Sequence, residues 1–238
     1  MIACRSQLAS WLLSSHTVRL QGILFDIDGT LVDSNDIHAR CWIEAFAHFG
    51  KQLDFEIVRH QIGKGGDLLV PDLLNAKEMR RFGEQLKKYR SEIYKKKFMR
   101  NVKPFPDVSN RLRELDRRGV KIALASSANP DEVQYYIDLL GIGDLIEAST
   151  SKKDAEISKP SPEIFDAALH ELGTDPEFTL VVGDTPYDIL AAHRAALPVA
   201  AVLSGGFERE LLSKAEFLFE DMEEMVRKID IVDDYFSD

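Results

Sequence analysis

Two kinds of apolar pattern alternate along this chain. Short runs of branched apolar residues over 23–25, 120–125, 178–182 and 198–203 read as buried strands, with shorter candidates at 145–148 and 217–219. Between them, apolar residues recur at helical spacing over 108–118, 130–140, 162–172, 189–195 and 222–229, and Gly119, Gly141 and Gly173 stand at three helix ends. Such alternation predicts an α/β fold: a parallel sheet covered by helices on both faces. The stretch from Asn35 to Val102 breaks the pattern and holds no strand signal. Ile37, Trp42, Ile43, Ala45, Phe46 and Phe49 form one apolar face of a helix. A short helix over 55–61, the loop Ile62-Gly63-Lys64-Gly65-Gly66-Asp67 and a helix through Leu74 come next. The charged run over 76–99 reads as one long helix with a solvated face. The expected organisation is an N-terminal extension at 1–20, a core at 21–34 and 104–238, and an all-helical domain at 35–103 inserted after the first strand.

Composition narrows the function. The formal net charge of −10 disfavours nucleic acid and anionic membrane as partners. No apolar run approaches the ~20 residues of a membrane helix. Two cysteines, Cys4 and Cys41, fit a reducing compartment without a disulfide framework. Residues 1–20 contain Arg5, His16, Arg19 and several serines but no acid, a composition shared with organelle-targeting peptides. With so few arginines, a plain extension and a cytoplasmic location are the expectation.

The chemistry-bearing residues stand where strands end. Asp26-Ile27-Asp28-Gly29-Thr30 closes the first strand. Side chains alternate along an extended chain, so Asp26 and Asp28 share a side while Ile27 turns inward. Two carboxylates this close need a cation or a shared proton. Open α/β sheets bind ligands at the carboxyl ends of their strands. Ser126 ends the second strand, and Gly183-Asp184-Thr185-Pro186-Tyr187-Asp188 ends the third. Lys159 precedes Pro160 and the next helix.

At these residues the chain resembles the haloacid dehalogenase (HAD) superfamily in its phosphatase form, whose first motif is Asp-x-Asp-Gly-Thr. The resemblance covers nearly the whole chain from Ile23 and implies a Rossmann-like core with a helical cap. It implies Asp26 as the nucleophile that forms an aspartyl-phosphate, and Asp28 as general acid/base. It implies Ser126 as a hydrogen-bond donor to a phosphoryl oxygen and Lys159 as the neutralising cation. It implies a Mg²⁺ held by Asp26, by Asp28 through its backbone carbonyl, by Asp184, and by Asp188 directly or through water. Mg²⁺ takes oxygen ligands and keeps several waters, which suits this set.

The resemblance is to the phosphoglycolate-phosphatase-like and β-phosphoglucomutase-like group. It implies a small phosphorylated metabolite as substrate, a phosphoglycolate or a sugar phosphate, and a monomer or homodimer. Dehalogenating members lack the second acid, so Asp28 favours phosphoryl chemistry. Mutase-like members carry an arginine in the cap loop for a distal phosphate, and Gly66 stands there instead. His38 on the first cap helix and Lys64 in the loop are the cap candidates, Lys64 being the only nearby cation. The alternatives are a phosphomutase with the same residues, a phosphonate hydrolase needing a cap lysine, and a non-enzymatic interaction protein.

Overall fold

A computed structural model describes residues 20–236. The extension expected at 1–20 lies outside the described residues up to residue 19, as does Cys4; Leu20 belongs instead to the core, 1% exposed and with its N–H donating to Asp233 Oδ1 at 2.8 Å. The chain opens with strands β1 (Gly22–Phe25) and β2 (Val32–Asp33). Four helices come next: α1 (Asn35–His48), α2 (Phe55–Arg59), α3 (Gly66–Leu73) and α4 (Ala76–Ile93). Then come β3 (Lys103–Pro104), α5 (Val108–Arg117), β4 (Lys121–Ala125), α6 (Pro130–Leu140) and β5 (Ile146–Thr150). The last part holds α7 (Glu163–Leu172), β6 (Thr179–Gly183), α8 (Pro186–Arg194), β7 (Val199–Val202), β8 (Phe217–Phe219), α9 (Met222–Arg227) and α10 (Ile229–Tyr235).

Six strands form one parallel sheet in the order β5-β4-β1-β6-β7-β8. The alternating side chains of each strand feed two cores. Ile23, Phe25, Ile122, Leu124, Leu180 and Val182 pack on one face against α5, α6, α9 and α10. Leu24, Ala123, Ala125, Val181, Val199 and Ala201 pack on the other against α7 and α8. Burial on both faces explains why these strands read as continuous apolar runs. The chain reverses direction in strand order next to β1, which places the carboxyl ends of β1, β4 and β6 around one crevice.

Helices α1–α4 form a block with its own apolar cluster, in which Trp42, Phe46, Val58, Leu69, Leu86 and Tyr94 meet. Helix α4 starts on a capping box between Asn75 and Glu78 and runs into a π-turn over Tyr94–Phe98. Tyr94, the first residue of that turn, is fully buried in the block's apolar cluster. The two connections to the block, β2 and β3, pair with each other as a small antiparallel ribbon.

Two details differ from the pattern. The last helix was expected over 222–229; the chain instead breaks at Lys228 and continues as α10, because Ile229, Val232 and Phe236 extend the apolar seam against the sheet. Helix α8 begins at Pro186, three residues early, since Thr185 and Asp188 cap it reciprocally. Among the described residues no helix is long and apolar enough to cross a membrane.

Candidate active site

Asp26 comes directly after the last residue of β1, and its N–H donates to the Val182 carbonyl at 2.8 Å, so the nucleophile candidate is tied to β6. Gly183 ends β6 and hands the chain to Asp184, which is fully buried. Thr30 Oγ1 donates to Asp184 Oδ1 at 3.2 Å, and Asn35 Nδ2 donates to Oδ2 at 2.7 Å. Gly205 lies against the same carboxylate: a Cβ there would stand 1.8 Å from Asp184 Oδ2, so only glycine allows the approach. Asp188 has two tasks. Its Oδ2 accepts from the Thr185 N–H at 3.0 Å and the Thr185 hydroxyl at 2.6 Å, while its Oδ1 lies 2.8 Å from Lys159 Nζ.

Lys159, only 1% exposed, reaches in from the segment after β5 and donates to Asp26 Oδ1 at 2.5 Å. One ammonium thus pairs with two buried carboxylates, Asp26 and Asp188, and the oxygens of Asp26, Asp184 and Asp188 lie within 4.8 Å of one another. Burial is the main force raising the Asp26 carboxyl, to about 7; Asp188 and Asp28 add to it and Lys159 opposes it. Asp184 is raised well above the usual range by burial and by the charges of Asp188 and Asp26. Burial works against the Lys159 ammonium, yet Asp188 and Asp26 outweigh it and hold the proton more tightly than usual. Three buried acids against one base leave negative charge uncompensated, and hard oxygen donors at this spacing suit a divalent cation.

Asp28 stands apart from that cluster. Its Oδ1 accepts from Ser34 Oγ at 2.5 Å and from His38 Nε2 at 2.8 Å. Arg90 has donors only, and its Nη2 lies 2.5 Å from His38 Nδ1, so Nδ1 is the acceptor and Nε2 carries the imidazole proton. The His38 ring stacks on Tyr94 with centroids 4.5 Å apart, and the Tyr94 hydroxyl bonds that of Tyr136 across the block–core boundary. Burial alone would raise the Asp28 carboxyl; the His38 and Ser34 hydrogen bonds and the Arg90 charge hold it below the usual range.

A cavity of about 90 Å³ lies over Asp26 and Asp28, between the core and the helical block. Ser126, directly after β4, lines it as well. His38 also lines it, in keeping with its place on the first cap helix. Lys64 borders it, but its ammonium is held by Asp72 at 2.6 Å and Gln61 at 2.7 Å and lies over the Tyr187 ring. Lys64 is therefore not the only nearby cation. Arg90 reaches the cavity from α4, stacked over Trp42 and Tyr94. The charged run over 76–99 hides it, although its spacing from Leu86 and Tyr94 puts it on the buried side. Ser34, Asn35 and Glu132 stand at helix starts, where such residues ordinarily cap, and Thr30 belongs to the first motif; none carries a local sign of its place at the site. Gly66 packs on Trp42, where a Cβ would stand 2.9 Å from the ring.

The sequence profile of the haloacid dehalogenase-like hydrolases matches residues 23–202. Pyrophosphatase PpaX of Oceanobacillus iheyensis is 29% identical over 221 residues, which cover 92% of this chain and 99% of that protein. The phosphoglycolate phosphatase of Yersinia pseudotuberculosis is 32% identical over 191 residues, 78% of this chain and 82% of its own. The crystal structure of a hydrolase from Pseudomonas syringae, 26% identical, superposes with a TM-score of 0.81 over 89% of this chain and 99% of its own. The matched profile begins within β1 and closes at the last residue of β7, so it encloses every strand-end group of the crevice, and the chain belongs to the haloacid dehalogenase-like hydrolase family.

Proposed function

We propose that this protein is a Mg²⁺-dependent phosphatase that hydrolyses a small phosphomonoester through an aspartyl-phosphate. The observation that carries the reading is the pairing of two carboxylates with opposite surroundings. Asp26 is buried against Lys159 beside Asp184 and Asp188, while Asp28 is clamped by Ser34 and His38 two residues away. Paired acids in contrasting environments divide nucleophilic from acid/base work. The names of the phosphatase relatives support the same class.

Asp26 Oδ attacks phosphorus in line, the bond to the ester oxygen breaks, and Asp28 gives that oxygen a proton. The approaching phosphoryl dianion adds negative charge beside Asp28, which favours the protonated form needed at this step. Once the alcohol has left, Asp28 is ionised, the state its hydrogen bonds favour, and takes a proton from the water that attacks the aspartyl-phosphate. Lys159 holds Asp26 in place and offsets charge on the transferring group, and Ser126 donates to a phosphoryl oxygen. Asp26, Asp184, Asp188 and the Asp28 carbonyl would hold Mg²⁺. That cation supplies positive charge against the phosphoryl oxygens.

In this assignment residues 35–103 are a cap that excludes bulk water, and 21–34 with 104–238 are the catalytic core. The contact of Gly66 with Trp42 supports hydrolysis over mutase chemistry, because no side chain there can hold a distal phosphate. Acid quench during turnover of ³²P-labelled phosphoester with Mg²⁺, followed by peptide mapping, should place label on Asp26. Label on another residue, or none under conditions of measurable turnover, would overturn the mechanism.

A further inference from the structure

Three residues of the cavity carry polar atoms that the chemistry above leaves unused. Arg90 Nε and Ser127 Oγ are shut off from solvent and have no hydrogen-bond partner. Glu132 is 1% exposed, and only one of its oxygens is engaged: Oε1 accepts from Asn129 Nδ2 at 2.8 Å. Arg90 arrives from the helical block; Ser127 and Glu132 come from the core, after β4. All three line the cavity that holds Asp26 and Asp28. Interior polar groups are normally paired, and leaving one unpaired costs about 1–3 kcal/mol. Unspent groups converging on a ligand cavity are those a bound molecule satisfies.

Their chemistry defines the molecule. Arg90 only donates, a carboxylate at Glu132 only accepts, and the Ser127 hydroxyl does either. A distal phosphate or a lone carboxylate would suit Arg90 but would bring a second negative charge against Glu132, out of water, where like charges repel strongly. A group that offers a donor to Glu132 and an oxygen to Arg90 satisfies both. The remaining bordering cation, Lys64, is committed to Asp72 and does not offset Glu132.

We infer that Arg90, Ser127 and Glu132 form the specificity subsite, which selects phosphomonoesters whose far end pairs an acceptor oxygen with a hydroxyl or ammonium donor. Compounds whose far end is only anionic, phosphoglycolate and pyrophosphate among them, are poor substrates. The inference rests on the phosphatase reading. A site built to bond a donor rejects the analogue that lacks it, because Glu132 is then left unpaired.

The test compares matched pairs on the wild-type protein with Mg²⁺, scored as kcat/KM for phosphate release. Glycerol 3-phosphate is set against n-propyl phosphate for a hydroxyl, and O-phosphoserine against 3-phosphonooxypropanoate for an ammonium. At least one donor-bearing member should exceed its partner, and phosphoglycolate, by ~10-fold or more, about the worth of one hydrogen bond to a charged group. Which pair separates identifies the donor. Glu132→Gln, checked for folding by circular dichroism, should shrink that ratio at least ~5-fold, since a neutral amide oxygen accepts more weakly than a carboxylate and no longer repels an anion. Phosphoglycolate or pyrophosphate hydrolysed better than both donor-bearing esters would overturn the inference and leave the phosphatase reading intact. Failure to hydrolyse any of these or p-nitrophenyl phosphate would overturn the phosphatase reading itself.

Discussion

Replacing Lys159 by Met tests the charge arrangement most directly. The methionine keeps the length of the stem and removes the one ammonium that touches both Asp26, at 2.5 Å, and Asp188, at 2.8 Å. At an effective dielectric of ~20, each contact is worth about 6 kcal/mol of Coulomb attraction, most of it offset by the desolvation of a buried lysine. Removing one partner alone forfeits the attraction and leaves the acids buried, a cost of about 3–5 kcal/mol. At ~2–4 °C per kcal/mol for a chain of this size, the metal-free variant should melt roughly 6–20 °C below wild type near pH 8.5. The deficit has a sign in pH. Asp26, already raised to about 7, rises further without the lysine. A buried acid with a raised pKa subtracts stability as pH climbs above its unfolded value, so the deficit should shrink near pH 5.5, where a proton replaces the lysine. Mg²⁺ should recover part of it at high pH by the same substitution of one cation for another. Thermal unfolding in EDTA and in Mg²⁺ at both pH values is the assay. A variant within ~2 °C of wild type at pH 8.5 without metal, or a deficit that grows on acidification, would refute the reasoning.

Asp26→Asn should abolish turnover; a variant keeping more than about a tenth of wild-type kcat, a barrier change under ~1.4 kcal/mol, would remove Asp26 from the nucleophile's role. EDTA should abolish phosphate release and Mg²⁺ restore it in wild type but not in Asp184→Ala, with Ca²⁺ inhibitory through its looser shell; activity that survives EDTA refutes this. His38→Ala should lower kcat more than it raises KM, because Asp28 loses its clamp while the phosphate site is untouched; kinetics with an unchanged kcat would show that Asp28 needs no clamp. β-Glucose 1-phosphate with a bisphosphate primer should yield free phosphate faster than glucose 6-phosphate; the reverse would replace hydrolysis by mutase chemistry.

The groups that were legible in the sequence are those fixed by local rules. A buried parallel strand has one apolar signature, and the residues just past its carboxyl end fall at the crevice, so Asp26, Asp28, Ser126 and Asp184 were placed by strand ends alone. Lys159 needed the family resemblance, since nothing local distinguishes it from a surface lysine before a proline. Arg90 and Glu132 were hidden for a different reason. Each sits among charged neighbours on a helix, Lys87, Lys88 and Arg90 or Asp131 and Glu132, and only the packing of one body on another decides which charge turns inward. Lys64 shows the opposite case: its loop borders the cavity, but Asp72, eight residues on, binds the ammonium. Where recognition depends on two bodies meeting, periodicity within either one underdetermines it.

The ribbon of β2 and β3 has a consequence for how such a chain can diversify. Val32 pairs with Pro104 and Asp33 with Lys103, so the 69 residues that separate Asp33 from Lys103 leave the sheet and return at neighbouring backbone positions. A segment whose two ends already touch can be lengthened, shortened or exchanged with little change in the geometry of its host. Asp26, Asp28, Ser126, Lys159, Asp184 and Asp188 are rooted on the host side of that junction, and Arg90, His38 and Trp42 on the guest side. Selection can therefore graft a new recognition half onto an old reaction, with Asn35 and His38, at the start of α1, as the few residues any graft must retain to keep Asp184 and Asp28 in register.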